Sequence, residues 1–271
     1  MYKNKRVSVV IPALNEALSI TYVIEDLLAL RNEARNQLID EIVICDNGST
    51  DNTNKIARAL GTTVVSEQTP GYGRACLKAI DKMSASDIVL FIDADHAFYA
   101  HQAIPLIESI HQGADLAIGS RTLGTMKRGA LSQTQIFGNK LASNLIKLIW
   151  QHAVSDLGPF RAISNRALKK LDMQDKTFGW TIEMQIKAIQ TSMTIVELPV
   201  DTRCRIGKSK ISGTIKGSIG AGIGILSMIA KLWWSDASFR AEKKQRFDRS
   251  FDTQSLRAIP VRNTQRSRDY L

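Results

Sequence analysis

The apolar positions of the first 120 residues follow two alternating patterns. Val7–Ala13 is a continuous β-branched run, as expected of a strand buried on both faces. Residues 19–33 then place Ile20, Val23, Ile24, Leu27, Leu28 and Leu30 at helical spacing. The alternation continues with strands at 41–45, 63–66, 87–92 and 115–119. Between them, helices run through Leu60, over Ala75, Leu77, Ala79 and Ile80, and over 103–111. Asp46-Asn47-Gly48-Ser49-Thr50-Asp51 is turn chemistry, with Thr50 or Asp51 as the cap of the following helix. This order predicts an α/β fold with a mostly parallel sheet and helices on both faces. Ligands of such sheets bind at the carboxyl ends of the strands.

The second half is less regular. Helices are expected at 135–150 and 181–190, and strands at 160–163 and 195–200. A basic loop, 203–210, is followed by a Gly-rich apolar stretch, 212–234. The pattern divides the chain into a catalytic-type domain at 1–211, an apolar helix at 212–235 and a basic, mobile tail at 236–271. The apolar run 219–234 is short for a membrane span, which needs about 20 apolar residues. Trp233-Trp234 with Lys231 fits an amphipathic or interfacial helix. Gly220, Gly222 and Gly224 equally suit close packing on the domain or on a second subunit, and so a homodimer.

Composition narrows the class. Apolar residues make up 44% and charged residues 23%, enough for a sizeable core. The net charge of +10 suits an anionic partner. Cys45, Cys76 and Cys204 have neither metal nor redox spacing, which fits a reducing compartment. The first apolar run holds Pro12 and reads as a strand, not as a signal-peptide core. A cytoplasmic protein is expected, peripheral on the cytoplasmic face of an anionic membrane if the apolar helix and the tail's Lys243, Lys244, Arg246 and Arg249 meet lipid. No aromatic-basic pattern points to nucleic acid. No Gly-x-Gly-x-x-Gly follows the first strand, which disfavours a dinucleotide dehydrogenase.

The candidate chemistry sits at the predicted strand ends. Asp93 and Asp95 are two apart after the apolar run 88–92, so an extended backbone points both carboxylates the same way. Two desolvated, repelling acids favour a shared divalent cation; a capped strand end with solvated acids is the plain alternative. Asp46 follows a neighbouring strand and also suits an Asx turn; Asn15 and Glu16 follow the first and suit a helix cap.

Pro12-Ala13-Leu14-Asn15-Glu16, Asp46 to Asp51, Gly71-Tyr72-Gly73 and Asp93-Ala94-Asp95 stand in an order that resembles family 2 glycosyltransferases of the GT-A, Rossmann-like fold. Gly119-Ser120-Arg121, Asp156-Leu157-Gly158-Pro159-Phe160-Arg161 and Gly207-Lys208-Ser209-Lys210 are similar to its dolichol-phosphate mannosyltransferase and polyprenyl-phosphate glycosyltransferase branch. The resemblance implies a nucleotide-sugar donor site built from Pro12, Ala13, Asn15, Glu16, Asp46, Gly73, Asp93, Ala94, Arg205 and Lys210. It implies Mg²⁺ or Mn²⁺ on Asp95 with Asp93, and Arg121 at the phosphates. Ala97 stands where the branch has a further Gln ligand, with His96 as a substitute to weigh; Gly158-Pro159 replaces its Ser-Gly. The implied reaction is inverting hexose transfer from a UDP- or GDP-sugar to a polyprenyl or dolichyl phosphate. A hydroxyl acceptor would need a base, for which Asp156 and Glu183 are the candidates. A nucleotide-sugar-binding protein without turnover is the reading from another class.

Overall fold

The computed structural model describes residues 1–207 and 215–236. Lys210, the capping-type Ser212-Gly213-Thr214 and the tail beyond Asp236 lie outside the described residues. The chain divides into the units Met1–Trp233 and Trp234–Leu271, the first holding the sheet.

A seven-stranded sheet organises the molecule. Strands β1 (Val7–Ala13), β2 (Glu41–Asp46), β3 (Thr63–Ser66), β4 (Ile88–Phe91), β5 (Leu116–Ser120), β6 (Arg161–Ser164) and β7 (Ile195–Pro199) lie in the order β3-β2-β1-β4-β6-β5-β7. All run parallel except β6, which enters between β4 and β5 antiparallel to both. The expected mostly parallel sheet is therefore present, and β6 is the strand whose direction periodicity could not reveal.

Side chains alternate across the buried strands, so each strand feeds two cores. Val7, Val9 and Ile11 of β1 pack with Ile88 and Leu90 of β4 on one face. There they meet helices α1 (Ile20–Leu28), α2 (Thr53–Ala59) and α4 (Ala103–His111) through Ile24, Leu27, Ala57 and Ile107. Val10, Val89 and Phe91 point to the other face, against α3 (Tyr72–Lys82), α6 (Asn165–Leu171) and α7 (Trp180–Gln190). Each fully buried Val, Leu or Ile contributes roughly 1.5–3 kcal/mol.

Local differences from the sequence reading have local causes. Helix α1 ends at Leu28, five residues early, where Arg31 and Gln37 pair across a return of the chain. Asn52 takes the N-cap position of α2, while Asp51 accepts from the Thr53 backbone at 3.0 Å. Helix α6, capped by Ser164, is too short for apolar spacing to mark it in the sequence. Helix α5 (Gln133–Trp150) begins two residues early, at a capping box between Ser132 and Gln135.

Helix α8 (Ile215–Ser235) packs Met228, Ile229 and Leu232 inward. A Cβ on Gly179, before α7, would stand 3.1 Å from Met228 Cβ, so the two elements touch closely. Among the described residues no helix is long and apolar enough to cross a membrane.

Candidate active site at the strand ends

The carboxyl ends of β1, β4 and β5 open onto a cleft of about 610 Å³. Pro12, Ala13, Glu16, Asn47, Asp93, Ala94, Asp95, Arg121 and Arg205 line it. So do Leu131, Leu157, Phe178, Ile182 and Ile225, from the entries to α5 and α7, the turn before β6, and α8.

Asp93 and Asp95 follow β4 directly, as its apolar run predicts. Burial, and then the charge of Asp95, push the Asp93 carboxyl up to about 7. Tyr72 works against this by donating its hydroxyl to Asp93 Oδ1 at 3.0 Å. The same burial, with Asp93 alongside, raises the Tyr72 phenol well above its ordinary value. Asp95 is only 4% exposed. Its Oδ2 lies 3.0 Å from an Arg205 guanidinium nitrogen, and its Oδ1 accepts from the Ala97 backbone at 3.0 Å.

This is negative charge in search of a cation. Two carboxylates line the same cleft, one pushed toward protonation by burial and by the other, which is itself paired with a guanidinium. The residues therefore fit a divalent ion held by Asp95 with Asp93. Among the described residues no cluster of three His, Cys, Asp or Glu could hold a metal alone, so remaining ligands would come from donor and water. His96 adds none: its Nε2 is 2.9 Å from Asp26 Oδ2 and its ring stacks on Tyr22.

The first and second loops are stitched together behind the cleft. Asn15 adopts a left-handed backbone (φ 54°), which Asn tolerates better than most residues. It accepts from the Thr50 backbone at 2.8 Å, and its own N–H donates to Ser49 Oγ at 2.9 Å. Glu16 donates its N–H to Thr53 Oγ1 and accepts from Ser19 Oγ. Asp46 forms the Asx turn, accepting from the Ser49 backbone and from Asn54. Asn15 and Asp46 thus stand behind the lining and shape it.

Gly73 also serves the frame. A Cβ there would fall 2.1 Å from the Asp175 carbonyl oxygen, because the start of α3 lies against the 175–177 backbone. Asn47, absent from the expected set, holds the facing loop by donating to the Glu67 and Thr69 carbonyls and accepting from Gly71.

Arg121, after β5, is gripped by Asp156, before β6. Its Nε donates to Oδ2 at 2.8 Å and its Nη2 to Oδ1 at 2.7 Å, and its backbone N–H also donates to Oδ2. Burial opposes the Arg121 charge most strongly, but Asp156, together with Asp93 and Asp95, outweighs it and raises the pKa. A Cβ on Gly158 would sit 3.1 Å from Asp156 Oδ2 and 3.3 Å from Arg121 Nε, so Gly is what leaves room for the pair. Asp156 is fully buried and does not line the cleft; Arg121 does.

Glu183 is equally committed. It accepts from the Gln174 and Asp175 backbones and pairs with Lys187 at 2.8 Å, fixing the loop that abuts Gly73. It does not line the cleft either. Arg161, fully buried, donates to the Gly158 and Thr181 carbonyls and ties the turn before β6 to α7; burial lowers its pKa to about 10. Thr202 lines the cleft with a buried hydroxyl that no described residue satisfies.

The likeness to known proteins follows the same segments. The family model described as glycosyl transferase family 2 matches residues 8–172. An uncharacterized glycosyltransferase of Mycobacterium tuberculosis is 31% identical over 215 residues, 79% of this chain and 93% of the relative. Polyprenol monophosphomannose synthase of Mycolicibacterium smegmatis is 26% identical, over 78% of this chain and 82% of its own. Glucosyl-3-phosphoglycerate synthase of M. tuberculosis, in a crystal structure with phosphoglyceric acid, superimposes with a TM-score of 0.67 at 23% identity, covering 84% of this chain and 81% of that one. The sheet is that of the GT-A glycosyltransferases, and the chain is a member of glycosyl transferase family 2.

Proposed function

We propose that the protein moves a hexose, with inversion at the anomeric carbon, from a UDP- or GDP-sugar to a polyprenyl-type lipid phosphate. The observation that carries this reading is the mixed lining of the cleft. Asp93, Asp95, Arg121 and Arg205 bring charge to it, while Leu131, Phe178, Ile182 and Ile225 bring apolar surface. A nucleoside diphosphate suits the first set and a lipid chain the second.

Mg²⁺ or Mn²⁺, held by Asp95 with Asp93, would screen charge on the departing diphosphate. Arg205 stands beside Asp95 and offers its guanidinium to the same phosphates. Arg121, oriented by Asp156, presents a fixed positive charge to the cleft. A phosphate acceptor is largely dianionic at pH 7, its second pKa being about 6, and attacks without a base. That agrees with Asp156 and Glu183, whose oxygens are occupied by Arg121, Lys187 and backbone N–H groups. A hydroxyl acceptor would require one of them to leave its partner.

The name of the M. smegmatis relative supports the acceptor, and a solved neighbour carrying Mn²⁺, UDP-glucose and phosphoglyceric acid supports the donor and metal. On this reading the enzyme works peripherally at the bilayer that carries its acceptor.

The test pairs UDP- and GDP-sugars and Mn²⁺ with either a polyprenyl phosphate or 3-phosphoglycerate, and reads products by mass spectrometry. A glycosylated lipid phosphate supports the proposal. Product from phosphoglycerate alone gives the hydroxyl-acceptor reading, and donor binding without turnover gives the non-catalytic one.

A further inference from the structure

Two segments of the chain contain no Asp or Glu: residues 121–155 and 202–235, in a protein with 26 acids. The first ends in α5 and the second in α8. Both helices leave large apolar side chains in solvent. On α5 these are Ile136, Phe137 (69% exposed), Leu141 and Leu148 (68%); on α8 they are Ile223 (63%), Leu226 and Trp233. Phe137, Leu141 and Leu148 recur at i, i+4 and i+11, which is one helical face. Lys140 and Lys147 stand exposed among them, and Lys231 on α8 does the same.

These helices also form the cleft. Gly138 and Asn139 of α5, and Gly222 and Ile225 of α8, line it. Phe137 and Ile223 are their immediate sequence neighbours, about 100° round each helix, so exposed apolar groups flank the cleft on both helices.

We propose that α5 and α8 together form a docking surface for an anionic lipid bilayer. Phe137, Leu141, Leu148, Ile223 and Leu226 enter the interface, and Lys140, Lys147 and Lys231 meet lipid phosphates. Apolar side chains with lysines and no acid are the composition of an interfacial face. A second copy of the chain fits worse. A two-fold contact sets the patch against itself, and its charges are all positive. The inference rests on the lipid-phosphate reading for its purpose, while its evidence is separate from it.

The experiment is sedimentation of the full chain with phosphatidylglycerol vesicles, in the absence of donor and acceptor, against phosphatidylcholine vesicles. The expected result is binding to the anionic vesicles that weakens with salt. Lys140→Gln/Lys147→Gln should lose about thirty-fold in partitioning. Phe137→Ser/Leu148→Ser should lose binding with an unchanged circular-dichroism spectrum and Tm. Both variants should keep wild-type transfer to a detergent-dispersed acceptor. Equal wild-type binding to both vesicle types, or unchanged binding by the two folded variants, overturns the docking surface. So does a dimer in light scattering that Phe137→Ser/Leu148→Ser converts to monomer. Bilayer binding without any transfer to lipid phosphate would instead refute the acceptor reading and leave this surface standing.

Discussion

Arg205 covers Asp95: a guanidinium nitrogen lies 3.0 Å from Oδ2 of a carboxylate that is 4% exposed. On the proposed reading, in which Asp95 holds a divalent cation, a metal arriving without donor would have to displace this ion pair. Arg205→Gln is expected to bind Mn²⁺ several-fold more tightly than wild type in the absence of nucleotide, and to bind the UDP- or GDP-sugar more weakly. Titration by electron paramagnetic resonance reads the first effect. Wild-type affinity in the variant would show that Arg205 does not guard Asp95.

Asp93 should make stability depend on pH. Its folded pKa of about 7 lies above the ordinary carboxylate value. Between roughly pH 4 and 7 the folded state holds a proton that the unfolded chain has released, so stability falls as pH rises through this window. The penalty is absent below it and complete above it. Asp93→Asn, still able to accept from Tyr72, should flatten this slope in metal-free urea unfolding and exceed wild type in stability at pH 8. Parallel pH profiles for the two proteins would contradict the assignment.

Asp156 and Glu183 should separate from catalytic bases by their signature. Removing one member of a buried pair costs about 3–5 kcal/mol. Asp156→Ala therefore lowers Tm sharply and frees Arg121. Glu183→Gln keeps one acceptor oxygen, which in the Oε2 position still reaches the Gln174 and Asp175 backbone N–H groups, but loses the ion pair with Lys187. It is expected to lower Tm while kcat stays within about threefold, since no proton transfer is asked of it. A thousand-fold loss of kcat in a folded Glu183→Gln would restore the general-base reading.

Gly73→Ala places a methyl group 2.1 Å from a backbone oxygen. Overpacking of this kind costs about 1–3 kcal/mol, or a Tm lower by roughly 2–10 °C. Differential scanning calorimetry reads it, and an unchanged Tm would mean that the 175–177 backbone yields freely.

The strand ends were legible because their signal is local. Val7–Ala13 and the run before Asp93 are apolar on both faces, which places the acids at a buried lip. Asn15, Glu16 and Asp46 stand at strand ends as their position after apolar runs predicts, and Asn15 and Asp46 also brace the loops there, as the helix-cap and Asx-turn alternatives suggest. What escaped the sequence was pairing at a distance. Nothing near Asp156 announces Arg121, 35 residues earlier. Nothing near His96 announces Asp26. Asn47 reads in the sequence only as part of a turn, and Tyr72 carries no sign of its bond to Asp93, because their partners lie in other loops. The capping box Ser132-Gln133-Thr134-Gln135, by contrast, was plainly written and sets the start of α5 two residues before the apolar pattern does.

The antiparallel strand has a consequence for how the molecule is made. β5 leaves the ribosome before β6, yet β6 must lie between it and β4. A nascent chain ending at Ser120 has no neighbour to which β5 belongs. The slot closes only after another 40 residues of chain return to fill it, and β7 then seals the far edge. Arg121 meets Asp156 in that same late event. The arginine-bearing part of the cleft is thus assembled as the sheet is completed, so an unfinished chain holds Asp93 and Asp95 without the arginines beside them, and this closure is a long-range contact of the kind that forms slowly.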